Sequence, residues 1–176
     1  MIKLQGKLPR ELFLACSGGI DSMAALDFLR NNHDVSVVFF DHGTETSHYA
    51  QAHVVNYCSQ NNIDFLYGTS NSTKNKDQSW EEYWRKERYK FLHSINGTVV
   101  TAHHLDDCVE TWVWSSMHGT GKIIPYANKN VVRPFRLNHK RELELWADLK
   151  GVEYKEDDTN KDTCYTRNYI RHEMMP

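Results

Sequence analysis

Six residues near the amino end, Ser17-Gly18-Gly19-Ile20-Asp21-Ser22, have the types and order to hold an anion. Adjacent glycines permit backbone angles closed to other residues and let main-chain N–H groups come close to a ligand. Such groups at the mouth of a helix make a site for phosphate. Ser17 and Ser22 add hydroxyl donors. Asp21 is the odd member, because a carboxylate repels phosphate. It suits a helix cap, or a group facing a metal ion or a ribose. A Gly-Gly pair alone would be an ordinary capped turn. The string lacks the Gly-Lys-Ser/Thr ending of a Walker A loop and the Gly-x-Gly-x-x-Gly of a dinucleotide fingerprint.

A second cluster is His103-His104-Leu105-Asp106-Asp107-Cys108-Val109-Glu110. Asp107 and Glu110, three apart, converge two carboxylates on one helix face. Three uses stay open: a His/carboxylate metal site, transient Mg²⁺ held with phosphates at Asp21 or Asp107, and recognition of an ammonium with one acid as general base. A permanent zinc site is disfavoured, since it wants one dominant ligand geometry and an intact second shell. The third set is cationic: Arg85 and Arg88, Arg133 and Arg136, Arg141, and Arg167 with Arg171. Arginine suits two-pronged contact with phosphate. The same residues could instead form surface ion pairs, worth little each.

These groups need elements to hold them. Leu12 to Cys16 reads as a buried strand, and Met23, Leu26 and Leu29 recur at helical spacing, so the first motif lies on a strand-to-helix turn. Val35 to Phe40 is a second apolar run of the kind that suits a parallel sheet covered on both faces. It ends in Asp41-His42-Gly43, at the strand end where open α/β sheets place ligands. Helices are expected over 48–60, 79–95, 107–117 and 140–150, and strands over 63–67, 98–102 and 131–135. Ser79 with Glu82 has capping-box spacing. Trp80, Tyr83, Trp84, Phe91 and Leu92 read mostly as core. Gly119-Thr120-Gly121 is a second glycine turn. The alternation of strands and helices predicts an α/β fold, a parallel twisted sheet with helices on both faces in three layers.

At 176 residues the chain is expected to be a single domain over 1–176. No apolar run approaches a membrane span and the amino end lacks a signal-peptide pattern, so a cytoplasmic location without membrane contact is expected. Cys16, Cys58, Cys108 and Cys164 lie far apart with no Cys-x-x-Cys, against a zinc knuckle, an iron–sulfur site or a redox pair. A formal charge of −2 carries no basic signature, so any nucleic-acid surface must be local.

The Ser17–Ser22 string resembles the pyrophosphatase loop of the N-type ATP pyrophosphatases, which split ATP between the α- and β-phosphates and adenylate a substrate oxygen. The succession of clusters resembles, more narrowly, the tRNA(Ile)-lysidine synthetase family. Its landmarks here are the loop, Asp41-His42-Gly43, the helix with Glu82, Arg85, Arg88 and Tyr89, and His103-His104 through Glu110 and Thr111. They continue with Gly119-Thr120-Gly121, Arg133-Pro134, Arg141 with Glu142-Leu143, Asp157-Asp158-Thr159-Asn160, and Arg167-Asn168-x-Ile170-Arg171 before Pro176.

The resemblance implies ATP and Mg²⁺ as cofactors and free L-lysine and the tRNA anticodon loop as partners; a homodimer is compatible with it. In that family ATP activates the ring carbonyl of a wobble cytidine and the ε-amine of lysine displaces AMP. Ser17, Gly18, Gly19, Ile20, Asp21, Ser22 and His42 would then bind ATP. Asp21, Asp107 and Glu110 would be catalytic. Arg85, Arg88, His103, His104, Gly119, Thr120, Gly121, Arg133, Arg167 and Arg171 would join Asp107 and Glu110 in binding the other substrates. Many members carry further tRNA-gripping domains after this point, and a catalytic domain without one is expected here. After Gly43 the family shows a basic or leucine-rich continuation, where this chain has Thr44-Glu45-Thr46-Ser47. Another adenylating enzyme of the superfamily, a tRNA thiolase or an amide-forming synthetase, and a non-catalytic nucleotide- or RNA-binding relative are the alternatives.

Overall fold

The computed structural model describes residues 1–70, 72–155 and 169–174, apart from the side chains of Arg171 and His172. Its elements are β1 (Glu11–Ala15), α1 (Ile20–Leu29), β2 (Asp34–Asp41), α2 (Glu45–Asn61), β3 (Phe65–Thr69) and α3 (Trp80–Ser94). Then come β4 (Val99–Thr101), α4 (Leu105–Met117), β5 (Ala127–Asn128), β6 (Val131–Val132), α5 (Lys140–Lys150) and a π-helical turn at Ile170–Met174.

The strands have little polar alternation because both faces are covered. On β1, Leu12 and Leu14 belong to one core cluster, while Phe13 and Ala15 pack into another. On β2, Val37 and Phe39 face the first cluster and Val38 the second. The first cluster is closed by Leu26 and Leu29 of α1, Val54 and Cys58 of α2, and Leu143 and Ala147 of α5. The second is closed by Leu92 of α3, with Tyr89 and Phe91 beside it. Successive side chains of a strand point to opposite faces, so one apolar run feeds two cores. The result is the expected three-layer α/β sandwich of helices around a sheet.

The sheet runs β3-β2-β1-β4-β6-β5. Every pairing is parallel except that of β5 with β6. The chain builds outward from β1 through β2 to β3, then returns to lay β4 on the other side of β1. That reversal opens a crevice beyond the carboxyl ends of β1 and β4, where such sheets bind ligands. The Ser17–Ser22 turn follows β1, His42 follows β2, and His103-His104 follows β4. Topology alone therefore gathers three motifs that lie far apart in sequence.

Several boundaries differ from those expected. α2 begins at Glu45 rather than His48, because the Thr44 hydroxyl caps it by accepting from Ser47 N–H at 3.2 Å. It ends at Asn62 in the left-handed region (φ 53°), which delays β3 to Phe65. α4 starts at Leu105, capped by His104. β5 was not expected at all. It pairs with β6 across a tight connection in which Lys129 has φ 54°, and the Asn130 amide ties that turn to the carbonyls of Leu92, Ile95 and Gly97. Among the described residues no helix is long and apolar enough to cross a membrane.

Candidate functional site

The Ser17–Ser22 turn is held from within. Ser22 is buried, and its hydroxyl donates to Gly19 O at 3.0 Å while accepting from Ser17 N–H at 3.1 Å. Its role is therefore to lock the turn, and Ser17 is left as the exposed hydroxyl. Of the two glycines only Gly18 needs its freedom, with φ +84°. Gly19 has an ordinary extended φ of −77° and is the N-cap of α1 without a side-chain cap, so the first N–H groups of that helix have no side chain to satisfy them there. From outside, Lys155 N–H donates to Gly18 O at 2.9 Å, strapping the segment after α5 onto the turn.

Asp21, in the first turn of α1, faces His104 across the crevice at 3.7 Å. Its Oδ1 is buried and has no hydrogen-bond partner among the described residues. His104 is buried among carboxylates: Nε2 lies 3.5 Å from Asp107 Oδ2, and Nδ1 lies 3.5 Å from Asp106 Oδ2. Burial opposes charge on this ring, but the hydrogen bond to Asp21 and the charges of Asp107, Asp21 and Asp106 outweigh it and raise its pKa. The neutral ring can accept from Asp107 N–H at 3.4 Å; protonation gives up that contact for the Asp106 carboxylate. Asp107 returns the cap, accepting from His104 main-chain N–H at 3.0 Å. Asp106 reaches over to accept from Lys140 N–H at 2.7 Å, pinning the start of α5 to the start of α4. One histidine thus joins the turn after β1 to the helix after β4.

Beside this junction is a cavity of about 300 Å³ lined by His42, Trp84, Arg85, Arg88, His103, Asp107, Glu110 and Thr111. Glu110 is buried, and both it and Asp107 have contacts besides those named. The opposite wall is cationic. Arg85, Arg88 and Arg133 stand 5.2, 5.7 and 5.9 Å from the centroid of the Tyr89 ring. Arg133 also donates to Tyr89 OH and to Pro125 O, each at 2.8 Å. Among the described residues, Arg85 and Arg88 are gathered on the Tyr89 ring. Burial lowers the Arg88 pKa, Tyr89 opposes that fall, and the neighbouring arginines add to it.

Adjacent histidines carry opposite electrostatics. His103, bonded to Thr101 Oγ1 at 2.8 Å, is pushed well below the usual histidine range by burial and by Arg88, Arg133 and Arg85. His42 is pushed down to about 4, by burial first and then by Arg88, against the pull of Asp41. The unfolded chain would bind that proton near 6.5. Between about 4 and 6.5 the unfolded state holds more protons, so this group makes stability fall as pH drops through that window and adds no further slope below it. His42→Asn should flatten that part of the stability-versus-pH curve measured by urea unfolding. The His42 ring should titrate by NMR with a midpoint near 4 in the native chain.

The site residues named from sequence sort into four groups. Asp21, His42, Arg85, Arg88, His103, His104, Asp107, Glu110 and Arg133 converge on the junction and its cavity. Ser17 through Ser22 form the turn, with Ser22 internal to it. Gly119, Thr120 and Gly121 form the stop of α4, where Thr120 N–H and hydroxyl both donate to Ser115 O, and do not line the cavity. Arg167, the side chain of Arg171 and the run Asp157–Asn160 lie outside the described residues. The sequence reading missed Glu81, Trp84, Thr111 and Ile124 as cavity residues. It took Trp80 for core, and Trp80 is 56 % exposed. Among the described residues no group of three or more His, Cys, Asp or Glu is arranged to hold a metal by itself.

Comparison with known proteins agrees with this geometry. The model of a family described as the PP-loop domain matches residues 2–176. The tRNA(Ile)-lysidine synthase of Thermosipho africanus is 32% identical over 94% of this chain, and that of a Thermotoga species 33% identical over 94%. The chain spans 43% and 44% of those proteins, less than half of each. Among solved structures, an NH3-dependent NAD synthetase from Campylobacter jejuni superposes with a TM-score of 0.55 at 15% identity, covering 98% of this chain and 81% of that one, a likeness of fold. With a loop-bearing switch point, a sheet of this order and a match over essentially the whole sequence, this chain belongs to the PP-loop domain family.

Proposed function

We propose that this chain carries the chemistry of ATP-dependent lysine attachment to the wobble cytidine of an isoleucine tRNA with a CAU anticodon, giving lysidine, AMP and pyrophosphate. The observation that carries this reading is the joining of Asp21 and Asp107 through His104, with Asp107 and Glu110 lining a cavity that Arg85 and Arg88 also line. The relatives' names agree with it.

In this reading the phosphates of ATP lie on the N–H groups of the Gly18–Asp21 turn and the uncapped start of α1. The ring carbonyl oxygen of cytidine attacks the α-phosphorus, and the bond to the β-phosphate oxygen breaks. The turn stabilises the charge gathering on pyrophosphate. The ε-amine of lysine then attacks the carbonyl carbon, the carbon–oxygen bond to AMP breaks, and a carboxylate takes the amine proton. In this reading Asp107 and Glu110 hold the ammonium and one of them accepts that proton. Holding amine and activated base in one cavity turns a bimolecular attack into a local one. Mg²⁺ fits as a companion of the nucleotide, because Asp21 keeps a buried oxygen without a hydrogen-bond partner among the described residues. When bound it would offset phosphate charge, with Asp21 or Asp107 as the protein contact.

Incubation with radiolabelled lysine, ATP and transcripts of isoleucine and methionine tRNAs tests this directly. The expected result is label on the CAU-bearing isoleucine transcript, dependent on ATP and matched by AMP release. ATP binding without lysine incorporation on any transcript would sink the reading.

A further inference from the structure

One aromatic feature is not used by this chemistry. Trp80 and Trp84, one helical turn apart on α3, lie against one another with ring centroids 5.2 Å apart and ring planes tilted by 31°. Trp84 lines the cavity and meets the His42 ring edge-on at 5.6 Å. Trp80 stands outside the cavity and more than half of its surface is exposed. Trp112 on α4 is exposed to a similar degree, so exposure alone marks nothing; the contact with Trp84 is what sets Trp80 apart. The two indoles therefore make a continuous aromatic step from solvent to the cavity wall. Its surroundings carry both signs: Lys74 lies over the Trp80 ring at 5.3 Å, Arg85 and Lys86 follow on the same helix, both exposed, and Glu81 lines the cavity beside Trp84. Glu81 and Glu82 sit in the first turn of α3, where the helix dipole favours acids.

We infer that Trp80 and Trp84 form a stacking shelf for an unpaired nucleobase next to the one that reacts, with Lys74 and Arg85 beside its phosphates. The inference rests on the reading that the substrate is RNA. Stacking needs only the π-face of a base, so a shelf holds a flanking nucleotide whatever its identity. The reacting base must leave its neighbours to enter the cavity, and the shelf gives the next base a surface to stack on when that contact is lost. Lys74 rests on carbonyls of Asn75 and Gln78 at 3.0 and 2.5 Å. Its long flexible chain can lift from the indole to a phosphate when a base takes its place.

The full chain is titrated with an RNA stem-loop bearing CAU, reading tryptophan fluorescence, and with the same stem-loop made abasic beside the cytidine. Lysine incorporation is measured in parallel. Trp80→Ala should lose most of the quench and raise KM for tRNA by about 5- to 150-fold, the range one lost base–aromatic stack produces, with little change in kcat. Trp80→Phe should recover most of that loss. The abasic RNA should bind the native chain as poorly as the intact RNA binds Trp80→Ala. Trp112→Ala, an exposed tryptophan on α4, serves as the control. Equal RNA affinity of Trp80→Ala and the native chain would overturn the shelf, as would an equal loss with abasic RNA. A change confined to self-association or to a protein partner would also overturn it. A Trp80-dependent quench without lysine incorporation by the native chain would instead overturn the lysidine reading and leave the shelf standing.

Discussion

Gly18→Ala is expected to abolish nucleotide-dependent turnover and to destabilise the fold. Gly18 has φ +84°, and a Cβ there would lie 3.3 Å from Ala50 O, 3.3 Å from Val54 Cγ2 and 3.4 Å from Ala50 Cβ. The left-handed backbone alone costs an alanine about 1–2 kcal/mol. Backbone contact with α2 adds to this, because a carbonyl cannot step aside as a flexible side chain can. A loss of about 2 kcal/mol in a domain of this size lowers Tm by about 4–8 °C. Gly19→Ala is the informative companion. Its φ is ordinary, and the nearest atom to an added Cβ is Ser17 Oγ at 3.7 Å. Its stability should stay within about 1 kcal/mol of the native chain. Its affinity for ATP should nevertheless fall, because a methyl group stands where a phosphate would approach the bare amide. Calorimetry separates the two effects. A Gly19→Ala chain with native ATP affinity would show that the polyphosphate does not lie on this turn.

If the proposed function holds, Asp107→Asn should lower lysine transfer by a factor of about 10²–10⁴, the usual range for losing a positioned acid–base group, while ATP affinity stays within about threefold. Asparagine keeps an acceptor for the His104 main-chain N–H that Asp107 holds at 3.0 Å, so the start of α4 should survive. Asp107→Ala removes the acceptor as well and should cost about a further 1 kcal/mol of stability, the ordinary cost of a lost cap. Single-turnover lysine incorporation alongside urea unfolding distinguishes chemistry from folding. A native transfer rate in Asp107→Asn would leave Glu110 as the remaining candidate for the base.

The fold was legible where periodicity and chain order speak together. Leu12 to Cys16, Val35 to Phe40 and the helix over 140–150 announce themselves by apolar spacing, and the switch point follows from their order. The motif residues were legible too, since Asp21, Asp107, Glu110 and the arginines of α3 meet at the place the strand ends dictate. What could not be read was how each polar group is used. Ser22 and Ser17 look equivalent in the string, yet one hydroxyl is consumed inside the turn. His103 and His104 are identical neighbours, yet one packs against arginines and the other against acids, a difference set by which face of the crevice each ring enters. β5 has two residues and its pairing rests on Asn130 gripping the end of α3, a contact no local pattern encodes. Trp80 follows its helix's apolar spacing and still faces water, at the first residue of the helix.

The bond from Lys155 to Gly18 makes the shape of the turn depend on distant sequence. Ser22 can pre-form the loop as soon as α1 winds, but its outer brace comes from a segment synthesised more than a hundred residues later. Met1 and Lys3 are likewise tied to Glu142 and Asn138, so the segment before β1 and the start of α5 close on one another. Contacts of such long sequence separation form late, since loop-closure entropy must be met before they repay it. A nascent chain would therefore acquire its sheet before this turn is braced from outside, and on the proposed reading would hold no nucleotide tightly until its far end had arrived.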